Sequence, residues 1–135
     1  MRELTVSADK DRLDEVIAFV DGFLEELDCP VKIQMKLELA VEEIFVNIAS
    51  YAYENGEGKV HITLDADKDR KAVTFVFKDS GIKYDPLSKA DPDVSLSAEQ
   101  RQIGGLGIFL TKKIADAIKY EYIDGSNVLT IEKSL

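Results

Sequence analysis

The sequence contains few of the residues that build disulfide or metal scaffolds. Among its 135 residues there is one cysteine, Cys29, and one histidine, His61. A single cysteine excludes an internal disulfide and a thiolate metal cluster, and we expect Cys29 to be chemically inert. His61 falls in a predicted strand, where ordinary packing or solvent exposure is the expected role.

Long apolar runs and an excess of basic residues are also absent. No apolar stretch approaches the length that spans a bilayer, and the first residues lack the apolar core of a signal peptide. We therefore expect a cytoplasmic protein. The formal net charge of -9 opposes broad contact with nucleic-acid phosphates or anionic membranes. The same charge would suit a basic protein partner.

The chain does have enough apolar residues for one ordinary core, since 45% of them are hydrophobic and 32% are charged. We expect a single domain over residues 1–135. Hydrophobic periodicity predicts, in order, a strand, two helices, a strand hairpin, a long polar loop, a helix and a second hairpin. This order predicts an α+β two-layer sandwich, with helices on one face of a mostly antiparallel mixed sheet.

The second helix is predicted from about Val31 to Tyr53 and carries the first motif. Its apolar stripe consists of Ile33, Leu37, Ala40, Val41, Ile44, Ile48 and Tyr51. Glu43 and Asn47 lie about 40° apart along one flank of this stripe, whereas Glu42 faces solvent. Such a carboxylate can accept a proton, and such an amide oxygen can ligate a hard cation. Alone, the pair is more often a partly solvated helix flank.

The second and third motifs are an aspartate at a strand end and a cluster of glycines. Asp79 ends an apolar strand and Gly81 permits a turn after it, so the carboxylate could bind a ligand amine or simply close an Asx-type turn. Gly104, Gly105 and Gly107 precede a helix, whose first N–H groups favour phosphate oxygens. A flexible hinge after a lid is the alternative. No Gly-Lys-Ser/Thr follows, which excludes a P-loop.

Taken in order, the three motifs resemble those of the GHKL (histidine-kinase-like, Bergerat) ATPases. The likeness is nearest to the stand-alone anti-sigma-factor serine kinases of the RsbW type. Their phrases "AVxE…NAxxHAY", "D-x-G-x-x-D-P" and "GGxGxxL" match Ala40–Tyr53, Asp79–Pro86 and Gly104–Leu110. The resemblance covers nearly the whole chain and implies the Bergerat-type ATP-binding fold.

The resemblance also implies a role for each motif residue. Glu43 would be the general base, Asn47 would ligate Mg²⁺, and Asp79 would accept a hydrogen bond from the adenine amino group of ATP. The loop over about 82–103 would close as an ATP lid. The other nucleotide-binding positions that it implies are Gly81 and Ile82 beside the base, and Gly104, Gly105, Leu106 and Gly107 at the phosphates.

Two positions depart from the family pattern. Tyr51 stands where the family often has histidine, which would remove or replace a polar contact near the nucleotide. Near the end of the chain the family often places a threonine beside the adenine pocket, but this chain has Gly125-Ser126-Asn127. The contact made by this turn is left unassigned.

The function that the resemblance implies is that of a protein serine kinase using ATP and Mg²⁺. It would phosphorylate an anti-anti-sigma antagonist, sequester a sigma factor and form a homodimer. A non-catalytic ATP-sensing module that sequesters a partner is the alternative, and only the fate of the γ-phosphate separates the two. A histidine-kinase fragment fits poorly because His61 lies in a predicted strand, and topoisomerases and chaperones need transducer domains that these residues do not supply.

Overall fold

The structure, a computed structural model, describes residues 1–53, 57–88 and 105–135. Its helices and strands follow the predicted order. The helices are α1 Leu13–Glu26, α2 Val31–Tyr51 and α3 Gly105–Ile114. The strands are β1 Arg2–Ser7, β2 Lys59–Asp67, β3 Ala72–Asp79, β4 Ala117–Ile123 and β5 Ser126–Ser134.

The five strands form one sheet in the order β1-β2-β3-β5-β4. The four pairings between these strands are all antiparallel, so the described sheet contains no parallel pair of the kind that a mixed sheet would have. β3 is the central strand. Its last residue, Asp79, lies between Val60 of β2 and Asn127 of β5 in the pairing register. The predicted α+β sandwich is confirmed.

The core lies between one face of this sheet and the helices α1 and α2. Strands expose alternate residues to opposite faces, and on β2 and β3 every second side chain is buried. Phe75 of β3 meets Phe23 of α1 edge to face, with ring centroids 6.3 Å apart. The fully buried large side chains of this core include Leu24, Leu37, Ile44, Phe45, Ile62, Leu64, Phe77 and Ile131. Burying each contributes about 1.5–3 kcal/mol.

The structure corrects the predicted burial of two residues of α2 and the position at which this helix ends. Phe45 is completely buried although it lies outside the predicted stripe, and Tyr51 is 50% exposed although it lies within it. The helix also ends at Tyr51, earlier than predicted, because tertiary hydrogen bonds hold the chain beyond it. The carbonyl of Ala52 accepts the N–H of Ile82 at 2.7 Å. The hydroxyl of Tyr53 donates to the Lys59 carbonyl at 2.7 Å.

The single cysteine and the single histidine both have ordinary surroundings. Cys29 is buried and free, and burial raises the pKa of its thiol above the ordinary value, which keeps it protonated. His61 lies on β2, where Nδ1 is 2.6 Å from the Thr5 hydroxyl and Nε2 is 3.2 Å from a Glu3 carboxylate oxygen.

Among the described residues, no helix combines the length and apolarity that crossing a bilayer requires.

Gly81 allows the chain after β3 to lie directly against the end of α2. A Cβ at this position would lie 2.1 Å from the Ala52 carbonyl oxygen, a distance that no real contact reaches. The glycine is therefore required for close approach between two backbone segments. This contact fixes the end of α2 relative to the end of β3.

We expect Gly81→Ala to destabilise the protein by about 1–3 kcal/mol, because the backbone must shift to admit the methyl group. Gly22→Ala is the matched control, since a Cβ there meets nothing within 4 Å in the middle of α1. This second substitution should stabilise the protein by about 0.5–1 kcal/mol. Urea unfolding of both variants measures the difference, and equal effects of the two substitutions would refute the close approach.

Candidate active site

A cavity of about 40 Å³ lies where the last two turns of α2 meet the end of β3, the segment after it, α3 and the β4–β5 hairpin. Three residues that the sequence predicted for the site line it, namely Asn47, Asp79 and Ile82. Its other walls are formed by Ile44, Ile48, Tyr51, Ala52, Phe77, Tyr84, Pro86, Ile108, Tyr120, Asn127 and Leu129. Apolar walls with a few convergent polar groups are typical of a ligand site.

Two larger grooves elsewhere on the surface do not combine apolar walls with buried polar groups in this way. One of about 470 Å³ runs past the β2–β3 turn, and one of about 440 Å³ lies beside the start of α2. Exposed charged residues such as Lys68, Glu25 and Asp28 contribute to their walls. We therefore place the candidate site at the smaller cavity, where buried polar side chains converge.

The helix α2 presents Glu43 and Asn47 as its period predicts. Both side chains are half-buried, whereas Glu42 is exposed, as predicted. Asn47 lies on the cavity wall, but Glu43, one turn earlier, does not. Burial raises the pKa of the Glu43 carboxyl above its ordinary value, and the charge of Glu42 acts in the same direction.

Asp79 is the most deeply buried acidic side chain in the described part of the chain, with 5% of its surface exposed. Its Oδ1 accepts the N–H of Gly81 at 3.0 Å and the side-chain amide of Asn127 at 3.0 Å. The predicted Asx-type turn is therefore present, and the same carboxylate also lines the cavity. No described residue donates a hydrogen bond to Oδ2. A buried oxygen without a donor is costly, so this atom suits a ligand that brings one.

Asn127 is the main site residue that the sequence analysis left without a role. It is buried with 7% exposure, directly opposite Asp79 in the β3–β5 register. Its amide nitrogen donates to Asp79 and to the Ile82 carbonyl at 2.9 Å. Its Oδ1 accepts the Tyr84 N–H at 3.1 Å and the Tyr120 hydroxyl at 2.5 Å. The sequence does carry one signal for Asn127. It lies two positions before Leu129 on an alternating apolar strand, so both side chains face the same buried side of the sheet.

Tyr120, from the neighbouring strand β4, acts as a donor in this network. Burial is the largest influence on its hydroxyl and raises its pKa above the ordinary value. The negative charges of Asp85 and Asp79 act in the same direction. The hydroxyl therefore stays protonated at neutral pH and can donate to Asn127.

The glycine motif lies partly beyond the described residues. Gly104 is outside them, as are residues 89–103 of the predicted lid, while residues 82–88 are described. The helix α3 begins at Gly105, so Gly105, Leu106 and Gly107 belong to its first turn. Ile108, the next residue, is buried on the cavity wall. The N-terminal end of α3 thus borders the cavity, but the phosphate contacts of these residues stay a prediction.

The protein groups available for a metal are few. The described part of the chain contains no cluster of three or more histidine, cysteine, aspartate or glutamate side chains suited to an ion. Mg²⁺ at phosphate sites usually takes one or two protein oxygens and completes its shell with phosphate and water. The Asn47 amide, which hydrogen-bonds to no described residue, fits that modest requirement.

Comparison with known proteins agrees with this geometry. The protein-family model of the histidine kinase-like ATPase domain matches residues 6–133 of this sequence. The serine/threonine-protein kinase BtrW of Bordetella bronchiseptica is 32% identical over 101 residues, 74% of this chain and 70% of that protein. The serine-protein kinase RsbW of Listeria monocytogenes is 32% identical over 100 residues, and the match covers 69% of this chain but only 61% of the relative.

A solved structure shows the same fold. The crystal structure of the RsbU and RsbW domains of Rv1364c from Mycobacterium tuberculosis aligns with all of this chain and 33% of its own, with a TM-score of 0.66. At 14% identity this likeness concerns the fold alone. The family match, however, extends over nearly the full sequence and includes every element that borders the cavity. The chain belongs to the histidine kinase-like ATPase domain family.

Proposed function

We propose that the chain binds ATP in this cavity and transfers its γ-phosphate to a serine of a protein substrate. As in the resemblance drawn from the sequence, that substrate is an anti-anti-sigma antagonist and the second partner is a sigma factor. The relatives named as serine-protein kinases support the reaction. The observation that carries the proposal is the buried Asp79 carboxylate, whose Oδ2 receives no hydrogen bond from a described residue.

Asp79 would recognise the base through its charge. An ionised carboxylate accepts hydrogen bonds and cannot donate them. Adenine presents an amino group at its six position, whereas guanine presents a carbonyl oxygen there, which is another acceptor. Gly81 and the half-exposed Ile82 would lie beside the base, since Ile82 borders the cavity and its N–H is held by Ala52. Adenine is therefore the base that these groups fit.

The phosphates would lie between α2 and the N-terminal end of α3. Asn47 would supply an oxygen to Mg²⁺, which neutralises phosphate charge when bound. The first N–H groups of α3, at Gly105, Leu106 and Gly107, and the backbone at Gly104 would bind phosphate oxygens. An acidic chain of net charge -9 needs such local groups, because its overall field repels the nucleotide.

Glu43 would be the general base. Its half-buried position raises its pKa above the ordinary value. A higher pKa makes the carboxylate a stronger proton acceptor at the working pH. It would take the proton of the serine hydroxyl as the hydroxyl oxygen bonds to the γ-phosphorus and the bond to the bridging oxygen breaks. Glu43 lies one helical turn from Asn47, so base and metal ligand share one rigid element.

A non-catalytic ATP-sensing module is the second candidate. The observation that favours it is that Glu43 does not lie on the wall of the cavity, whereas Asn47 and Asp79 do. In such a module nucleotide binding would only change the affinity for a partner protein. The homodimer that the resemblance implies and the cytoplasmic location expected from the sequence are part of either proposal.

The first prediction from this proposed function concerns the nucleotide base that the cavity selects. The wild-type protein should bind ATP at least about tenfold more tightly than GTP, because guanine would leave the buried carboxylate unpaired. Asp79→Asn should remove most of this preference, since its amide can donate to guanine. Competition against a fluorescent nucleotide measures both affinities. Asp67→Asn is the matched control, because Asp67 also closes a turn at a strand end but is exposed.

Equal binding of ATP and GTP by the wild-type protein would remove Asp79 from the base site. A lost preference in the Asp67→Asn control would show that the effect is not specific to the cavity.

The second prediction concerns transfer of the γ-phosphate to the protein substrate. Glu43→Gln should leave ATP affinity nearly unchanged and slow phosphorylation of the antagonist by about 10²–10⁴-fold, which is the usual contribution of a general base. Glu42→Gln, one residue away on the exposed side, should have little effect. Single-turnover assays with labelled ATP separate the two. No transfer by the wild-type protein, with normal ATP binding, would favour the sensing module.

The third prediction is a pH dependence of stability. Because the pKa of Glu43 is raised above 4.5 in the folded state, protonated Glu43 is favoured by folding. This contribution is complete below pH 4.5 and is lost as pH rises through the folded-state pKa. Glu43→Gln, which has no proton to lose, should therefore gain stability relative to wild type over that rise. Urea unfolding at several pH values tests this, and parallel curves for the two proteins would contradict it.

A further inference from the structure

We propose that Asn127 is a positioning residue that sets the selectivity of the cavity for its base. Its carboxamide holds the Asp79 carboxylate and the Ile82–Tyr84 segment as one unit, and leaves Oδ2 of Asp79 as the acceptor for the amino group of the base. This inference rests on the proposed binding of ATP in the same cavity. It assigns a role to the turn that departs from the family pattern.

The orientation of the Asn127 amide follows from its partners. The Ile82 carbonyl and the Asp79 carboxylate only accept hydrogen bonds, so the NH₂ group must face them. The Tyr84 backbone N–H only donates, so the amide oxygen must face it, and the Tyr120 hydroxyl donates to the same oxygen. Both donors and both acceptor sites of the amide are thereby used. A buried carboxamide with four partners has a single stable rotamer and cannot turn without breaking several hydrogen bonds.

The same contacts fix the carboxylate. The Gly81 N–H and the Asn127 amide both bind Oδ1, and the first donor lies in the turn after β3 whereas the second lies on β5. With Oδ1 held from two sides, the carboxylate cannot rotate freely, and Oδ2 keeps one direction. A hydrogen bond to a ligand depends steeply on this direction. Without Asn127, a single contact from Gly81 would remain, and the acceptor would no longer be fixed.

Asn127 also holds the first residues after β3. Its bonds to the Ile82 carbonyl and the Tyr84 N–H join this segment to β5, while the Ile82 N–H joins it to Ala52 of α2. Ile82 and Tyr84 both line the cavity. The wall beside the base and the acceptor for the base are therefore positioned by one side chain. The segment leads into the predicted lid, so the base and the start of the lid share this anchor.

The test compares ATP with purine riboside triphosphate, which lacks the 6-amino group and is otherwise identical. The ratio of the two dissociation constants measures the contribution of the amino group alone. For the wild-type protein we expect a ratio of at least about tenfold, the value of one hydrogen bond to a buried charge. Asn127→Ala should reduce this ratio to about threefold or less, because Oδ2 is no longer held in place.

Two other results would overturn the inference. If Asn127 served only to stabilise the fold, Asn127→Ala would weaken both nucleotides equally and leave the ratio unchanged. If its amide instead competed with the base for Asp79, the ratio would rise. Tyr122→Phe is the matched control, since Tyr122 faces Asn127 in the β4–β5 register but is 42% exposed. It should leave both affinities unchanged.

A second variant keeps the inference testable should Asn127→Ala fail to fold. Tyr120→Phe removes one donor to the Asn127 oxygen and leaves the amide itself in place. Its ratio should fall between those of the wild type and Asn127→Ala, and a ratio equal to that of the wild type would count against the inference. Hydrogen exchange at the Tyr84 amide should also be faster in both variants.

The outcomes separate this inference from the proposed function. If the wild-type ratio is near one and Asp79→Asn does not change it, the amino group is not bound at Asp79, and both proposals fail. If the wild-type ratio is large and depends on Asp79 but not on Asn127, ATP binding stands and the role of Asn127 is refuted.

Discussion

A carboxylate buried at the end of a central strand must be hydrogen-bonded, because an ionised group without partners costs several kcal/mol once it leaves water. Asp79 meets this condition through Oδ1, which is bound by Gly81 in the turn and by Asn127 on the next strand. Its other oxygen receives nothing from the described residues. In the proposed site the protein satisfies one oxygen of the carboxylate, and a ligand would satisfy the other.

The fold brings the groups of the site together through backbone contacts. The chain after β3 lies against the last turn of α2 because Gly81 has no Cβ and the Ala52 carbonyl accepts the Ile82 N–H. Asn47, on the facing side of α2, then lines the same cavity as Asp79. The first turn of α3 closes it at Ile108. A helix flank, a strand end and a helix start, which are separate along the sequence, become the walls of one cavity.

The sequence predicted what depends on local periodicity and turn chemistry. The order of elements, both hairpins, the exposed Glu42 and the turn after Asp79 required only neighbouring residues. It did not predict Asn127, because the contact with Asp79 depends on β3 pairing with β5, and these strands are not consecutive. The predicted burial of Tyr51 was wrong for a related reason, since Tyr51 lies on the wall of the cavity and does not pack in the core. The role of Glu43 stays a prediction, because the helix period places the side chain but not the substrate.

If nucleotide enters the cavity between α2, β3 and β5, as proposed, the side-chain amide groups on its wall must respond to ATP in an NMR titration. Asn47 and Asn127 each carry an amide on the cavity wall, while Gln34 lies on the first turn of α2, where its amide donates to Asp21. Titration with ATP should shift the amide resonances of Asn47 and Asn127 with one dissociation constant and leave Gln34 unchanged. Saturable binding of ATP that leaves the amide resonances of Asn47 and Asn127 unchanged would show that the nucleotide does not enter this cavity.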